Sequence, residues 1–323
     1  MNDKVRSTEP HLSLSAAAAR NLATATVTVP QMTDITPRWL HRLLPWVDVD
    51  GGVYRVNRVA RAIKGKPANE SGESKVDLLT VDGGEPELPT TFVDYEENPR
   101  EYHLSTIQTV LRTHTRVTDL YSNKIDQLRE QIRLTVEAVK EREEWELINN
   151  PDFGLLREVV PSQTITTRKG SPTPDDLDEL LSLVWKKPAF FLAHPRAIAA
   201  FARECTRRGV PPPTVHLFGT PFLTWRGVPL VPSNKLELNG KSSTTSILLL
   251  RVGEAEQGVV GLQKTGITGE VEPGLSVRYM STNENSIASH LVTRYFSATV
   301  LTTDAVARLD NVVVNRYHEY NWK

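Results

Sequence analysis

Three stretches of this sequence carry residue types that could do chemistry. Gly240-Lys241-Ser242 ends like a phosphate-binding loop, in which backbone N–H groups and a lysine cradle phosphate oxygens. Lys235, however, stands where that loop needs its first glycine. Asp175, Asp176, Asp178 and Glu179 could gather a divalent cation through carboxylate oxygens. They also open a run with helical spacing, where capping and the helix dipole already account for acids in the first turn. Cys205, the single cysteine, has Arg203, Arg207 and Arg208 close in sequence, the positive setting that favours a reactive thiolate. Its apolar neighbours point instead to a small buried hydrophobe.

Other signatures are missing. No G-x-G-x-x-G follows a strand-like run, so dinucleotide binding has no support. Gly274-Leu275-Ser276-Val277-Arg278 lacks the final glycine of a nucleophile elbow. There is no H-E-x-x-H, and eight histidines with one cysteine show no zinc spacing. His114 reads as a satisfied or surface histidine. Asn69-Glu70-Ser71 matches a glycosylation acceptor but has no meaning without export. No catalytic residue, cofactor or metal ligand is assigned, and the expectation is a protein that is not an enzyme.

Bulk composition narrows the class further. The chain has 323 residues, with 38 basic and 39 acidic side chains and a formal net charge of -1. No overall field favours nucleic acid or an anionic membrane, so neither is expected as a partner. One cysteine cannot form an internal disulfide. Ala16–Ala19 is too short for a signal-peptide core and runs into Arg20, and no apolar run approaches the roughly 20 residues of a membrane span. A cytoplasmic location is expected.

The elements that must position these residues fall into an arm and two folded regions. Residues 1 to about 45 are poor in large apolar side chains before the cluster of Trp39, Leu40, Leu43, Leu44 and Trp46, so the arm must lie on the body or on a neighbour. A strand is expected at Gly52–Val59, followed by the Gly/Pro-rich excursion Lys64–Pro89 with strand-like Val76–Val81 inside it. Leu104, Ile107, Leu111 and Leu120 predict a helix over Tyr102–Tyr121. A second helix, about Ile125–Asn149 and nearly 40 Å long, carries the stripe Ile125, Leu128, Ile132, Val136 and Val139. Glu130, Arg133, Glu137, Lys140, Glu141 and Glu144 lie largely off that stripe. From Pro172 the pattern alternates. Helices are expected from Pro174 to Trp185 and over Pro195–Arg207. Strands are expected at Ala189–Ala193, Val215–Phe218, Phe222–Trp225, Val228–Val231, Ser246–Val252 and Gly258–Gln263. Leu275–Met280, Ile287–Thr302 and Val312–Tyr317 mix both signals.

Several longer strings then become recognisable. Ile35-Thr36-Pro37-Arg38-Trp39-Leu40, Gly52-Val53-Tyr54-Arg55-Val56-Asn57, Asn98-Pro99-Arg100-Glu101-Tyr102, Lys187-Pro188-Ala189-Phe190-Phe191-Leu192-Ala193-His194-Pro195 and Glu204-Cys205-Thr206-Arg207-Arg208-Gly209-Val210-Pro211 resemble the second family of encapsulins, the shell proteins of bacterial nanocompartments. The resemblance implies an α+β chain with the Hong Kong 97-type phage capsid fold. It places an N-terminal arm at 1–45, an extended loop region at 46–93, a peripheral domain with a spine helix at 94–171 and 263–323, and an axial domain at 172–262. It implies a homo-oligomeric icosahedral shell of about 60 copies. The enclosed cargo would be a protein, and the lack of room for a cyclic-nucleotide-binding insertion favours the branch that packages a cysteine desulfurase and serves sulfur metabolism. By the same resemblance Arg207, Arg208, Gly209 and Val210 line a fivefold pore and offer positive charge to anions. A phage or prophage capsid protein that packages DNA shares the fold and is the alternative.

Overall fold

The computed structural model describes residues 35–57, 98–114, 127–241 and 243–317. In chain order the elements are α1 (Trp39–Leu43), β1 (Trp46–Asp48), β2 (Val53–Val56), β3 (Arg100–His103), β4 (Ser105–His114), α2 (Gln127–Asn149), α3 (Leu155–Glu158), β5 (Thr164–Thr166), α4 (Pro174–Leu183), β6 (Phe190–Ala193) and α5 (Pro195–Arg207). Then follow β7 (Thr214–Leu217), β8 (Thr220–Trp225), β9 (Val228–Pro232), β10 (Thr244–Leu250), β11 (Val259–Gln263), β12 (Glu270–Glu272), β13 (Leu275–Thr282), β14 (Ile287–Val300) and β15 (Val306–Val313).

Seven strands form one sheet in the order β5-β15-β10-β6-β9-β8-β7. Both of its faces are covered, so its central strands are apolar throughout rather than alternating. Phe191, Ala193, Ile247 and Leu249 face α4 and α5, meeting Leu177, Leu180 and Phe201. Phe190, Leu192, Leu248 and Leu250 point the other way, toward Leu147 and Ile148 of α2 and Trp39 and Leu40 of α1. The period-two side-chain direction of a strand therefore divides one strand between two cores. The strands at 164–166 and 306–313 join this sheet from outside the 172–262 segment.

A second sheet has six strands and is organised by β14. This strand of 14 residues pairs with β4 along Ile287–Phe296, with β13 over Ala288–Arg294 and with β11 over Phe296–Val300. α2 packs on it through Val136 and Val139, which meet Leu275 and Val292. At Gly261 of β11 an added Cβ would lie 2.6 Å from the Trp46 ring, so this close approach of β1 requires glycine.

The helix expected over Tyr102–Tyr121 is instead the strand pair β3 and β4 up to His114; residues 115–121 lie outside the described residues. Ile107 and Leu111 are four apart, a spacing that puts side chains on one face of a helix or of a strand alike. The β-branched residues Thr106, Ile107, Thr109, Val110 and Thr113 and the ten-residue ladder with β14 favour the strand. Of the late segments with mixed signals, Leu275–Met280 and Ile287–Thr302 are the strands β13 and β14, while Val312–Tyr317 only overlaps the end of β15 at Val312 and Val313. Leu12–Ala25 and Lys64–Pro89, with Val76–Val81, lie outside the described residues. The stems on either side of the 58–97 excursion are described: β2 and β3 pair antiparallel, Val53 opposite His103 and Val56 opposite Arg100.

Candidate functional site

α5 begins at His194, whose side chain accepts from the Arg196 N–H, with Pro195 in the first turn. It ends in a left-handed turn that the sequence prescribes. Gly209 has φ +71, its N–H donates to the Thr206 carbonyl at 3.0 Å, and the Val210 N–H reaches back to the Cys205 carbonyl at 3.0 Å. Two reversed bonds around a left-handed glycine make a Schellman cap. Pro211, Pro212 and Pro213 follow, and their fixed φ angles stiffen the exit from the tip. Arg207, Arg208, Gly209 and Val210 are thus together, exposed and rigidly presented.

Their charge is largely matched. Both arginines close on Glu204: Arg207 Nε lies 3.0 Å from Oε2, and Arg208 Nε lies 2.8 Å from Oε1. Arg208 also reaches Asp175 at 3.2 Å. The hydrogen bond from Arg207 is the largest influence on Glu204 and, with Arg208, lowers its carboxyl to about 2. The expected surplus of positive charge is therefore offset by two acids on the same surface. Cys205 is buried behind the tip, and burial pushes its thiol up to about 11, the opposite of an activated nucleophile. The acids before it have structural partners. Asp176 completes a capping box with Thr173, accepting from its N–H at 2.9 Å, and Asp178 accepts from Trp225 Nε1 at 2.7 Å. Among the described residues no group of histidines, cysteines and acids could hold a metal ion. Gly240 and Lys241 sit in an exposed turn, and His114 ends β4 opposite Ile287.

The sequence reading missed a second feature, the acidic inner face of α2 that grips residues 35–44. Thr36 donates through its N–H to Glu141 at 2.8 Å and through its hydroxyl at 2.8 Å. Arg38 donates to Glu137 at 2.5 Å, and Lys235 lies 2.6 Å from Glu141. One turn on, Glu143 and Glu144 are buried, at 1% and 2% exposure. Burial would raise Glu143, but His41 at 3.4 Å and Arg294 at 2.7 Å hold its carboxyl below the usual range. Among the described residues Glu144 has no such cation in contact. Burial first, then the Glu141 charge, raise its carboxyl to about 7, while Ser233 donates to it at 3.3 Å. Glu144 lies off the apolar stripe yet is buried, because α2 is covered on that side by α1 and the Ser233–Lys235 loop. Continuing the stripe Val136, Val139 by steps of four to Glu143 and Leu147 would have exposed the pattern.

Comparison with known proteins agrees with this architecture. A family model for SrpI-like type 2A encapsulin shell proteins matches residues 61–316. The type 2A encapsulin shell protein SrpI of Synechococcus elongatus is 59% identical over 314 residues, 97% of this chain and 98% of the relative. The cryo-EM structure of the holo-SrpI encapsulin complex from Synechococcus elongatus superposes with a TM-score of 0.80 at 56% identity, covering 96% of this chain and 100% of that one. The capsid of a native GTA particle superposes with a TM-score of 0.55 at 12% identity over 93% of this chain and 99% of its own, a likeness of fold alone.

Proposed function

The chain belongs to the type 2A encapsulin shell family, and from that premise we propose that it assembles into a cytoplasmic icosahedral shell of about 60 copies enclosing a cysteine desulfurase. The fold is that of Hong Kong 97-type capsids, and the relatives it matches are shell proteins rather than enzymes. One observation supports a sealed compartment most directly: the near-complete match to a shell protein extends through both sheets and α2. In this reading 1–45 is the arm, 46–93 the extended loop, α2 the spine of the peripheral domain, and 172–262 the axial domain. Arg207, Arg208, Gly209 and Val210 rim the fivefold opening. With Glu204 and Asp175 matching the arginines, that rim would filter by size and rigidity more than by net charge.

Nothing in the bulk charge favours packaged nucleic acid or a membrane surface. Among the described residues no helix is long and apolar enough to cross a membrane. The test is negative-stain electron microscopy of protein purified from its native host, with the contents identified by mass spectrometry. Uniform round shells that hold a cysteine desulfurase are expected. Nuclease-protected DNA inside them would favour a capsid instead, and a stable monomer at micromolar concentration would sink the reading.

A further inference from the structure

A cleft of about 270 Å³ opens beside the tip of α5, lined by Lys169, Ser171, Arg203, Glu204, Arg207 and Arg316 among others. Three separate stretches of chain build it. Arg203, Glu204 and Arg207 share one face of α5 by their helical spacing. The loop after β5 is turned by Gly170, at φ +86, and pinned to β15 where the Val313 N–H donates to the Gly170 carbonyl at 2.7 Å. Beyond β15, Arg316 donates to the Lys169 carbonyl at 2.5 Å, which fixes its guanidinium against that loop.

The balance of charge in this cleft is unequal. Four cations face one carboxylate, and Glu204 is already engaged by Arg207 and Arg208. Among the described residues no acid pairs with Lys169, Arg203 or Arg316. Arg203 donates to the Val314 carbonyl at 2.7 Å and stacks over the Tyr317 ring at 4.5 Å. Its Nε is buried with no partner among the described residues, a costly state for a guanidinium donor. Elsewhere in the 172–262 segment, Lys186, Lys187 and Arg226 each meet an acid.

We infer that this cleft binds a small tetrahedral oxyanion, phosphate or sulfate, free or as the ester of a compact molecule. Three unpaired cations from three directions match a dianion better than a carboxylate, and arginine forks suit the edges of a tetrahedral oxyanion. Ser171 and Tyr317 add hydroxyls to the lining. The volume lies just below the roughly 300–1,000 Å³ of typical ligand sites, which favours a small anion over a polymer. The inference does not depend on whether residues 207–210 rim an opening.

The test is titration of intact purified shells with inorganic phosphate, and separately with glycerol phosphate, by calorimetry at low ionic strength. Saturable binding approaching one anion per subunit, displaced by sulfate, is expected. Whichever probe binds more tightly identifies the free ion or the ester as the natural form. Arg316→Gln and Lys169→Gln alter exposed side chains, so these shells should assemble, and each should weaken binding about tenfold. Lys187→Gln, which removes a lysine paired with Glu256 instead, should leave it unchanged. Uptake that never saturates, or equal affinity in the Arg316→Gln and Lys169→Gln shells, would overturn the assignment.

Discussion

The inner face of α2 and the tip of α5 both set glutamates beside cations, and they differ in how much water reaches them. Glu143 and Glu144 are shut under α1 and the Ser233–Lys235 loop, while Glu204 is partly buried and its two arginine partners lie at the surface. Water is what separates the outcomes. At the tip, the hydrogen bond from Arg207 and then Arg208 outweigh a partial burial, so Glu204 falls to about 2. On α2 each buried carboxylate depends on its own partners. Glu143 has Arg294 and His41, whereas for Glu144 burial and the Glu141 charge outweigh Lys235, the Leu40 backbone and Ser233, and its carboxyl rises to about 7. The same residue type thus serves as a charged clamp, a neutral hydrogen-bonding group and a surface counter-ion within one chain.

Removing the partner of the best-paired buried carboxylate should break this contrast most severely. Arg294→Met keeps an unbranched stem under Trp46, whose ring the guanidinium overlies at 5.2 Å, but leaves Glu143 buried beside only His41. A loss of about 3–5 kcal/mol is expected, because an uncompensated buried charge remains. Chemical denaturation of the shells at neutral pH measures it. Glu143→Gln combined with Arg294→Met should recover a good part of that loss. If the double variant is as unstable as the single one, the guanidinium matters through packing and not through charge.

The buried and unpaired case predicts a pH dependence of definite sign. The Glu144 proton is held to about pH 7 in the folded chain, against 4.5 for an ordinary glutamate. Because the folded state binds the proton more tightly, this group's contribution is complete below pH 4.5 and falls as pH rises. It is fully lost above about 7, at a total of order 3 kcal/mol. Glu144→Gln keeps the neutral shape and should remove this slope. Thermal unfolding at pH 5 and pH 8 is the measurement: the variant should match the parent at the lower pH and exceed it at the higher. A parent with no greater loss than the variant between those two pH values would show that Glu144 is ionised throughout.

How far these regions could be read from sequence follows from the same physics. α5 appears with its bounds intact because His194-Pro195 starts it, an apolar face sustains it and Gly209 ends it. Within the seven-stranded sheet, β6 to β10 were legible as apolar runs between turn residues, whereas β5 and most of β15 were not. β4 was not, since Ile107 and Leu111 satisfy both periods and its ladder partner β14 lies far along the chain. The clamp on α2 was hidden for a different reason. Glu143 and Glu144 look like solvent-facing charges in a helix rich in them, and only Arg294, Ser233 and His41, all distant in sequence, make their burial tolerable. The assignment of a pore to 207–210 rests on resemblance alone, but the matching of the charge there by Glu204 depends on a three- and four-residue helical spacing that sequence reading could have used.

The smallest effect belongs to the exposed side of the comparison. Glu204→Gln removes the acid shared by Arg207 and Arg208 and should cost less than about 1 kcal/mol, since both arginines regain water. What remains of the penalty should disappear near 1 M salt, where the screening length drops to about 3 Å. A variant that loses several times more stability, or whose loss persists at high salt, would show that neighbouring subunits bury the tip in the shell and would move it to the buried side of the contrast. An unchanged stability with a faster entry of small anions into the shell would instead support Arg207 and Arg208 as the rim of an opening. In that case Glu204 is the residue that normally masks their charge, and stopped-flow quenching of an encapsulated dye by iodide would read the difference directly.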